Sequence, residues 1–133
     1  MATEGYPLVA VVEDDLDLRT IYTEILDHNG FETIGYSDGR SAFEAITTGT
    51  TIPKMLVLDY MLPGDMNGEQ FVQQLANQPG IAPLPIVLVS ALGADAKEIA
   101  RLKNHPWVVA FFNKGDIAAN KLVDFMKTYF KLA

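Results

Sequence analysis

Met55-Leu56-Val57-Leu58-Asp59-Tyr60-Met61-Leu62-Pro63-Gly64-Asp65-Met66-Asn67-Gly68 runs four apolar residues straight into one carboxylate and then into a turn-rich loop. A short, continuous apolar run bounded by breakers reads as a strand buried on both faces. Asp59 then stands at the carboxyl end of that strand, where open α/β sheets bind their ligands. The bland alternative is that Asp59 only caps the helix that follows, a common role for Asp. Where the other strands end separates the two. Leu8-Val9-Ala10-Val11-Val12 is another buried run and leads into Glu13-Asp14-Asp15. Pro85-Ile86-Val87-Leu88-Val89 ends at Ser90, and Val108-Val109-Ala110-Phe111-Phe112 is followed closely by Lys114. One polar residue after a strand is ordinary; four strands of five doing so describes a site.

Between these runs the apolar spacing changes to that of helices. Leu18, Ile21, Tyr22, Ile25 and Leu26 predict a helix over 17–28, stopped by Asn29-Gly30. Residues 31–36 form a strand with polar interruptions, which places it near a sheet edge. Ser37-Asp38 starts a second helix through Phe43, Ala45 and Ile46, ending around Gly49. Phe71, Val72 and Leu75 mark a helix over about 69–77, Ile99 and Leu102 a weaker one over 95–103, and Leu122, Val123, Met126 and Phe130 the last, over roughly 116–130. Five strands alternating with five helices imply an α/β fold with a mostly parallel sheet covered on both faces. Right-handed crossovers favour the flavodoxin-like, doubly wound order 2-1-3-4-5. That order gathers Glu13, Asp14, Asp59, Ser90 and Lys114 at one edge of the sheet.

The chain has 133 residues, which predicts one domain over 1–133 with an ordered core of about 6–131 and no second functional domain. A hydrophobic fraction of 49% and a mean hydropathy of +0.13 suit a folded core. No apolar run approaches a membrane span, and the first residues carry no signal pattern. The absence of cysteine excludes a disulfide framework, a thiolate metal site and a cysteine nucleophile, and fits a cytoplasmic home. A net charge of −7 without a basic stripe argues against nucleic-acid binding.

Converging carboxylates with no soft ligand describe a hard-cation site for Mg²⁺ or Mn²⁺. His28 and His105 lie away from the cluster without a second ligand at metal spacing, and read as structural or solvated. Ser90 has no histidine base placed to activate it, whereas a carboxylate nucleophile needs only to be ionised and in line. Aspartyl-phosphate chemistry suits these groups: Asp59 attacks phosphorus, Mg²⁺ clamps the oxygens, and Lys114 and Ser90 take the remaining charge. No G-x-x-x-x-G-K-[ST] or G-x-G-x-x-G occurs, so the phosphoryl group comes from something other than bound nucleotide.

The segments Val11-Val12-Glu13-Asp14-Asp15-x-x-x-Arg19, Leu58-Asp59-x-x-Leu62-Pro63-Gly64 with Gly68, Ser90-Ala91 and Phe111-x-x-Lys114 together resemble the receiver domain of two-component response regulators, across nearly the whole chain. The resemblance implies that Asp59 accepts a phosphoryl group from the phosphohistidine of a sensor kinase or a histidine phosphotransfer protein. It implies that Glu13, Asp14, Asp59 and the backbone carbonyl of Met61 hold the metal, and that Ser90 and Phe111 form a switch. It further implies a phosphorelay component of the single-domain type, a monomer or weak homodimer that docks to a downstream protein and is no enzyme beyond self-phosphorylation and slow autodephosphorylation.

Three departures from the family pattern stand out. Gly115 replaces the proline that follows the family lysine, which leaves the Lys114-Gly115 bond trans or strained. The loop 64–68 is one residue longer and adds Asp65, which reads as solvated. Met61 and Leu92, two positions beyond Asp59 and Ser90, are apolar where the family gates the attacking water, which predicts a long-lived phosphoryl group. The alternative function is an unphosphorylated receiver-like interaction module. A hydrolase would want a capping insertion, and a flavin carrier would be repelled by Glu13-Asp14-Asp15.

Overall fold

The computed structural model describes residues 6–93, 95–114 and 119–131, with the side chain of Ala119 left out. Within them β1 (Leu8–Val12), α1 (Leu16–Asp27), β2 (Glu32–Tyr36), α2 (Gly39–Thr47), β3 (Met55–Asp59), α3 (Gly68–Ala76), β4 (Ile86–Ser90), α4 (Lys97–Lys103), β5 (Val108–Asn113) and α5 (Ala119–Phe130) follow in order. The strands form one parallel sheet in the order β2-β1-β3-β4-β5.

The continuous apolar runs are explained by what lies on each face. Ala10, Val12, Leu56, Leu58, Ile86 and Leu88 pack under α2, α3 and α4, against Ala42, Ile46, Phe71, Val72, Leu75, Ile99 and Leu102. Their neighbours Val9, Val11, Met55, Val57, Val87 and Val89 pack on the other face, against Tyr22 and Leu26 of α1 and Leu122, Val123 and Met126 of α5. Successive strand residues alternate between the faces, so a strand covered twice has no polar positions to offer. Each fully buried side chain such as Phe71 or Leu26 stabilises the fold by roughly 1.5–3 kcal/mol. β2, with polar interruptions, is the edge strand expected of it. Tyr22 and Leu26, which mark the first helix in sequence, are both core.

Element ends move by one or two residues, each for a local reason. Asp15 caps α1 by accepting from Leu18 N at 3.1 Å, so the helix begins at Leu16. Asp38 likewise caps α2 through Ser41 N at 2.7 Å. Asn67 and Gln70 form a reciprocal capping box that starts α3 at Gly68. α4 starts at Lys97 rather than 95, behind Ala96, which offers no side-chain cap. The expected start of α5 at 116 and the Lys114-Gly115 bond involve residues outside those described.

The register brings the strand ends level. Asp59 pairs with Val89, and Ser90 with Asn113, so the residues that close β1, β3, β4 and β5 emerge at the same edge.

Candidate functional site

Asp59 is buried at the last position of β3. It does not cap α3, because Asn67 performs that task. Its Oδ1 accepts from Met61 N at 3.0 Å, and its Oδ2 accepts from Lys114 Nζ at 2.9 Å. Lys114 follows β5 directly, and its own N–H donates to Ser90 O at 2.8 Å, which ties the ammonium-bearing residue to the end of β4. The same Nζ lies 3.0 Å from Glu13 Oε1. That contact is an ion pair misaligned for a hydrogen bond, since Glu13 Oε1 is buried and accepts none. The other oxygen, Oε2, accepts from Asp15 N at 3.2 Å. Asp14 is exposed beside it, and one carboxylate oxygen each from Glu13, Asp14 and Asp59 lie within 4.8 Å of one another.

Three carboxylates against one ammonium leave the cluster short of positive charge. Burial, followed by the negative charge of Asp59, pushes the Glu13 carboxyl up from 4.5 to about 7. Burial works to lower Lys114, but its contacts with Asp59 and Glu13 outweigh that and hold its pKa above the ordinary lysine value. The Tyr22 hydroxyl is raised, first by burial and then by the charge on Glu13. An oxygen-only donor set with one buried oxygen accepting no hydrogen bond fits a hard divalent cation, and no thiolate or imidazole stands among the clustered groups.

Ser90 is buried, and its Oγ accepts from Leu92 N at 2.9 Å, which leaves the hydroxyl proton to donate. Asn113 Nδ2 donates to Leu92 O at 2.9 Å, so the turn after β4 is pinned at both ends of Leu92. Phe111 is half-buried against the α2–α4 side of the core, with Lys103 Nζ 5.6 Å from its ring centre, while Phe112 faces the opposite side. Met61 projects its side chain to solvent, and Leu92 packs partly into the core.

Several residues read as bystanders have definite placements. Asp65 turns away from the cluster to Arg40 at 3.4 Å, an exposed pair, in keeping with its reading as solvated. His28 Nδ1 lies 2.7 Å from Glu24 O, and His105 Nδ1 accepts from Trp107 N at 3.1 Å. Arg101 makes a two-pronged contact with Glu69 at 2.6 and 2.7 Å that joins α4 to α3. The two are 32 residues apart, so no helical spacing could announce the pair. Arg19, part of the quoted pattern but given no role there, donates from Nη1 to Glu13 O at 2.7 Å. Gly68 sits where a Cβ would fall 2.7 Å from Tyr60 Cα.

Comparison with known proteins follows the same lines. Residues 9–120 match the family model described as the response regulator receiver domain. The phosphate regulon transcriptional regulatory protein PhoB of Escherichia coli is 30% identical over 95 residues, which cover 71% of this chain and 40% of the relative. This chain thus spans less than half the length of such curated relatives. The signal receiver domain of a putative Luxo repressor protein from Vibrio parahaemolyticus superposes with a TM-score of 0.78 at 26% identity, covering 95% of this chain and 91% of that one. The receiver domain of sensor histidine kinase PA1611 from Pseudomonas aeruginosa, a structure with magnesium coordinated in its active-site cleft, shares the fold with a TM-score of 0.79 at 16% identity, over 95% and 98% of the two chains.

Proposed function

The chain belongs to the response regulator receiver domain family, and we propose on that premise that Asp59 is its phosphoacceptor, charged by a partner's phosphohistidine. The observation that carries this reading is the placement of Asp59: it closes β3, leaves the cap of α3 to Asn67, and among the described residues its carboxylate accepts hydrogen bonds from Met61 N and Lys114 Nζ. An ionised Asp59 oxygen attacks phosphorus in line with the P–N bond. The O–P bond forms as the P–N bond breaks, and the electron pair leaves on the imidazole nitrogen, which is reprotonated from solvent. Lys114 Nζ, now on Asp59 Oδ2, moves to a phosphoryl oxygen, and the free hydroxyl proton of Ser90 donates to another. Glu13, Asp14, Asp59 and the carbonyl of Met61 would hold Mg²⁺ or Mn²⁺, which would supply positive charge to offset that of the phosphoryl oxygens.

Movement of Ser90 toward the new charge would pull on the turn held by Asn113, and Phe111, two residues before Asn113 on β5, is the proposed responding side chain. The output is a changed docking surface for a downstream protein, with no substrate turnover beyond the slow hydrolysis of its own acyl phosphate. Among the described residues no helix is long and apolar enough to cross a membrane, which accords with action in the cytoplasm beside a kinase or phosphotransfer partner.

Intact mass after incubation with acetyl phosphate, with and without Mg²⁺, tests the reading. One phosphoryl group should add only when Mg²⁺ is present, and none to Asp59→Asn. No gain in protein that binds Mg²⁺ would leave the unphosphorylated docking module in its place. The apolar side chains of Met61 and Leu92 predict slow loss of that mass; decay within seconds would refute their role as a barrier to water.

A further inference from the structure

The peptide that joins Glu13 to Asp14 sets where both carboxylates point, because each side chain leaves the backbone on one side of it. Glu13 is held at its N–H by Tyr36 O at 3.0 Å and at Oε2 by Asp15 N at 3.2 Å. Asp14 is exposed and forms no hydrogen bond or ion pair with another described residue. The carbonyl of the shared peptide has a side-chain donor, Arg19 Nη1, at 2.7 Å. Arg19 belongs to the first turns of α1 and reaches back six residues to make this bond. It can do so because its stem lies over Gly35 of the edge strand, opposite Val11 in the register. A Cβ built on Gly35 would fall 3.0 Å from Arg19 Cδ and 3.2 Å from Cγ.

From this arrangement we infer that Arg19, seated on Gly35, is a positioning residue for the divalent-cation site: it fixes the Glu13–Asp14 peptide plane and thereby the geometry of the acid pair. The inference rests on the cation reading of the cluster. Groups that support metal ligands from behind commonly alter affinity by about 10–100-fold when removed. Without the guanidinium the Glu13 carbonyl loses the side-chain donor at 2.7 Å, so the plane would sample other orientations.

Charge alone predicts the opposite sign. Removing a cation near three carboxylates should tighten the binding of Mg²⁺, whereas loss of positioning should weaken it. Mg²⁺ titration by calorimetry on the otherwise unaltered chain separates the two. Arg19→Met keeps the length of the stem and removes the donors; it should weaken binding on the order of tenfold. Gly35→Ala leaves every charge in place and pushes the Arg19 stem aside by a few tenths of an ångström, so it should weaken binding by roughly two- to fivefold. Arg19→Lys, with charge and one donor retained, should fall between the wild type and Arg19→Met.

Unchanged or tighter Mg²⁺ binding in Arg19→Met overturns the inference, as does an unaffected Gly35→Ala. Should Arg19→Met fail to fold, Gly35→Ala decides alone, since it adds one methyl group at an exposed edge position. Absence of Mg²⁺ binding by the unsubstituted chain is a different failure. It removes the cation site, and the positioning role with it.

Discussion

Gly68→Ala is the perturbation whose consequence the geometry specifies most closely. An added Cβ would lie 2.7 Å from Tyr60 Cα, 2.9 Å from Tyr60 O and 3.1 Å from Asp59 O. All three atoms are backbone, so no rotamer change can relieve them. Carbon atoms in comfortable contact sit about 3.5–4.0 Å apart, so the start of α3 and the end of β3 must separate by roughly 1 Å. α3 resists, because Phe71, Val72 and Leu75 are buried beneath it. The strand end resists, because Tyr60 N donates to Val89 O at 2.9 Å and Gly68 N donates to Tyr60 O at 2.9 Å.

Overpacking of a well-filled site costs about 1–3 kcal/mol, and a strained backbone hydrogen bond adds about 1 kcal/mol. The better helix propensity of Ala returns at most about 1 kcal/mol. The net expectation is a loss of about 2 kcal/mol, or roughly 6–10 °C in Tm for a chain of this size. Urea unfolding at constant m-value measures it directly. Because the displaced segment carries Asp59 and Met61, Mg²⁺ affinity and phosphorylation should fall along with stability. A Gly68→Ala protein within about 0.5 kcal/mol of the parent, a typical surface effect, would refute the close approach.

Three further outcomes follow from individual contacts. The Glu13 carboxyl stands at about 7 in the fold against 4.5 as its ordinary value, so the folded state holds the extra proton between those limits. Its contribution is complete below 4.5 and is lost as pH rises through 7. At ~1.4 kcal/mol per pH unit the ceiling is about 3–4 kcal/mol, which solvent screening lowers. Melting in EDTA should therefore drop between pH 5.5 and 7.5, Glu13→Gln should flatten the drop, and equal slopes in the two proteins would sink the argument. Asn67→Ala removes the Oδ1 that accepts from Gln70 N and leaves the reciprocal bond from Asn67 N to Gln70 Oε1, and should cost about 1 kcal/mol in urea unfolding; no measurable loss would mean that water caps α3 equally well. The Arg101–Glu69 pair has short bonds, but the Arg101 side chain is 59% exposed. A double-mutant cycle should show weak coupling that fades in high salt, and a strong, salt-insensitive coupling would contradict that.

What could be read from sequence, and what could not, divides along a physical line. β1, β3 and β4 were legible because coverage on both faces leaves only apolar positions, and β2 because an edge strand tolerates Glu32 and Thr33. The clustering of Glu13, Asp14, Asp59 and Lys114 follows from strand order alone, since each closes a strand or follows its end. Whether Asp59 was a cap could not be settled from its own neighbours. The answer lay eight residues on, where Asn67 and Gln70 satisfy the helix start. Contacts that depend on two elements meeting stayed hidden. Asp65 could have faced the cluster or Arg40, Arg101 could have been solvated, and nothing in Gly35 announces that an arginine stem crosses it. Each is set by tertiary approach rather than by a period of two or 3.6.

The charge balance of the cluster links the resting site to its chemistry. Lys114 is shared between two buried carboxylates, bonded to Asp59 Oδ2 and merely opposed to Glu13 Oε1. Burial first, and then the negative charge of Asp59, raises the Glu13 pKa. Conversion of the Asp59 carboxylate to an acyl phosphate adds negative charge at the one place where Lys114 already points. The ammonium can follow that charge with little rearrangement, since its backbone is fixed to Ser90 O. Glu13 cannot follow, because its main chain and Oε2 are held by Tyr36, Arg19 and Asp15. Phosphorylation would thus withdraw the shared lysine from Glu13 and leave that oxygen more dependent on a divalent cation. Affinity for Mg²⁺ and occupancy of Asp59 by phosphate should for that reason rise together, as linked equilibria must.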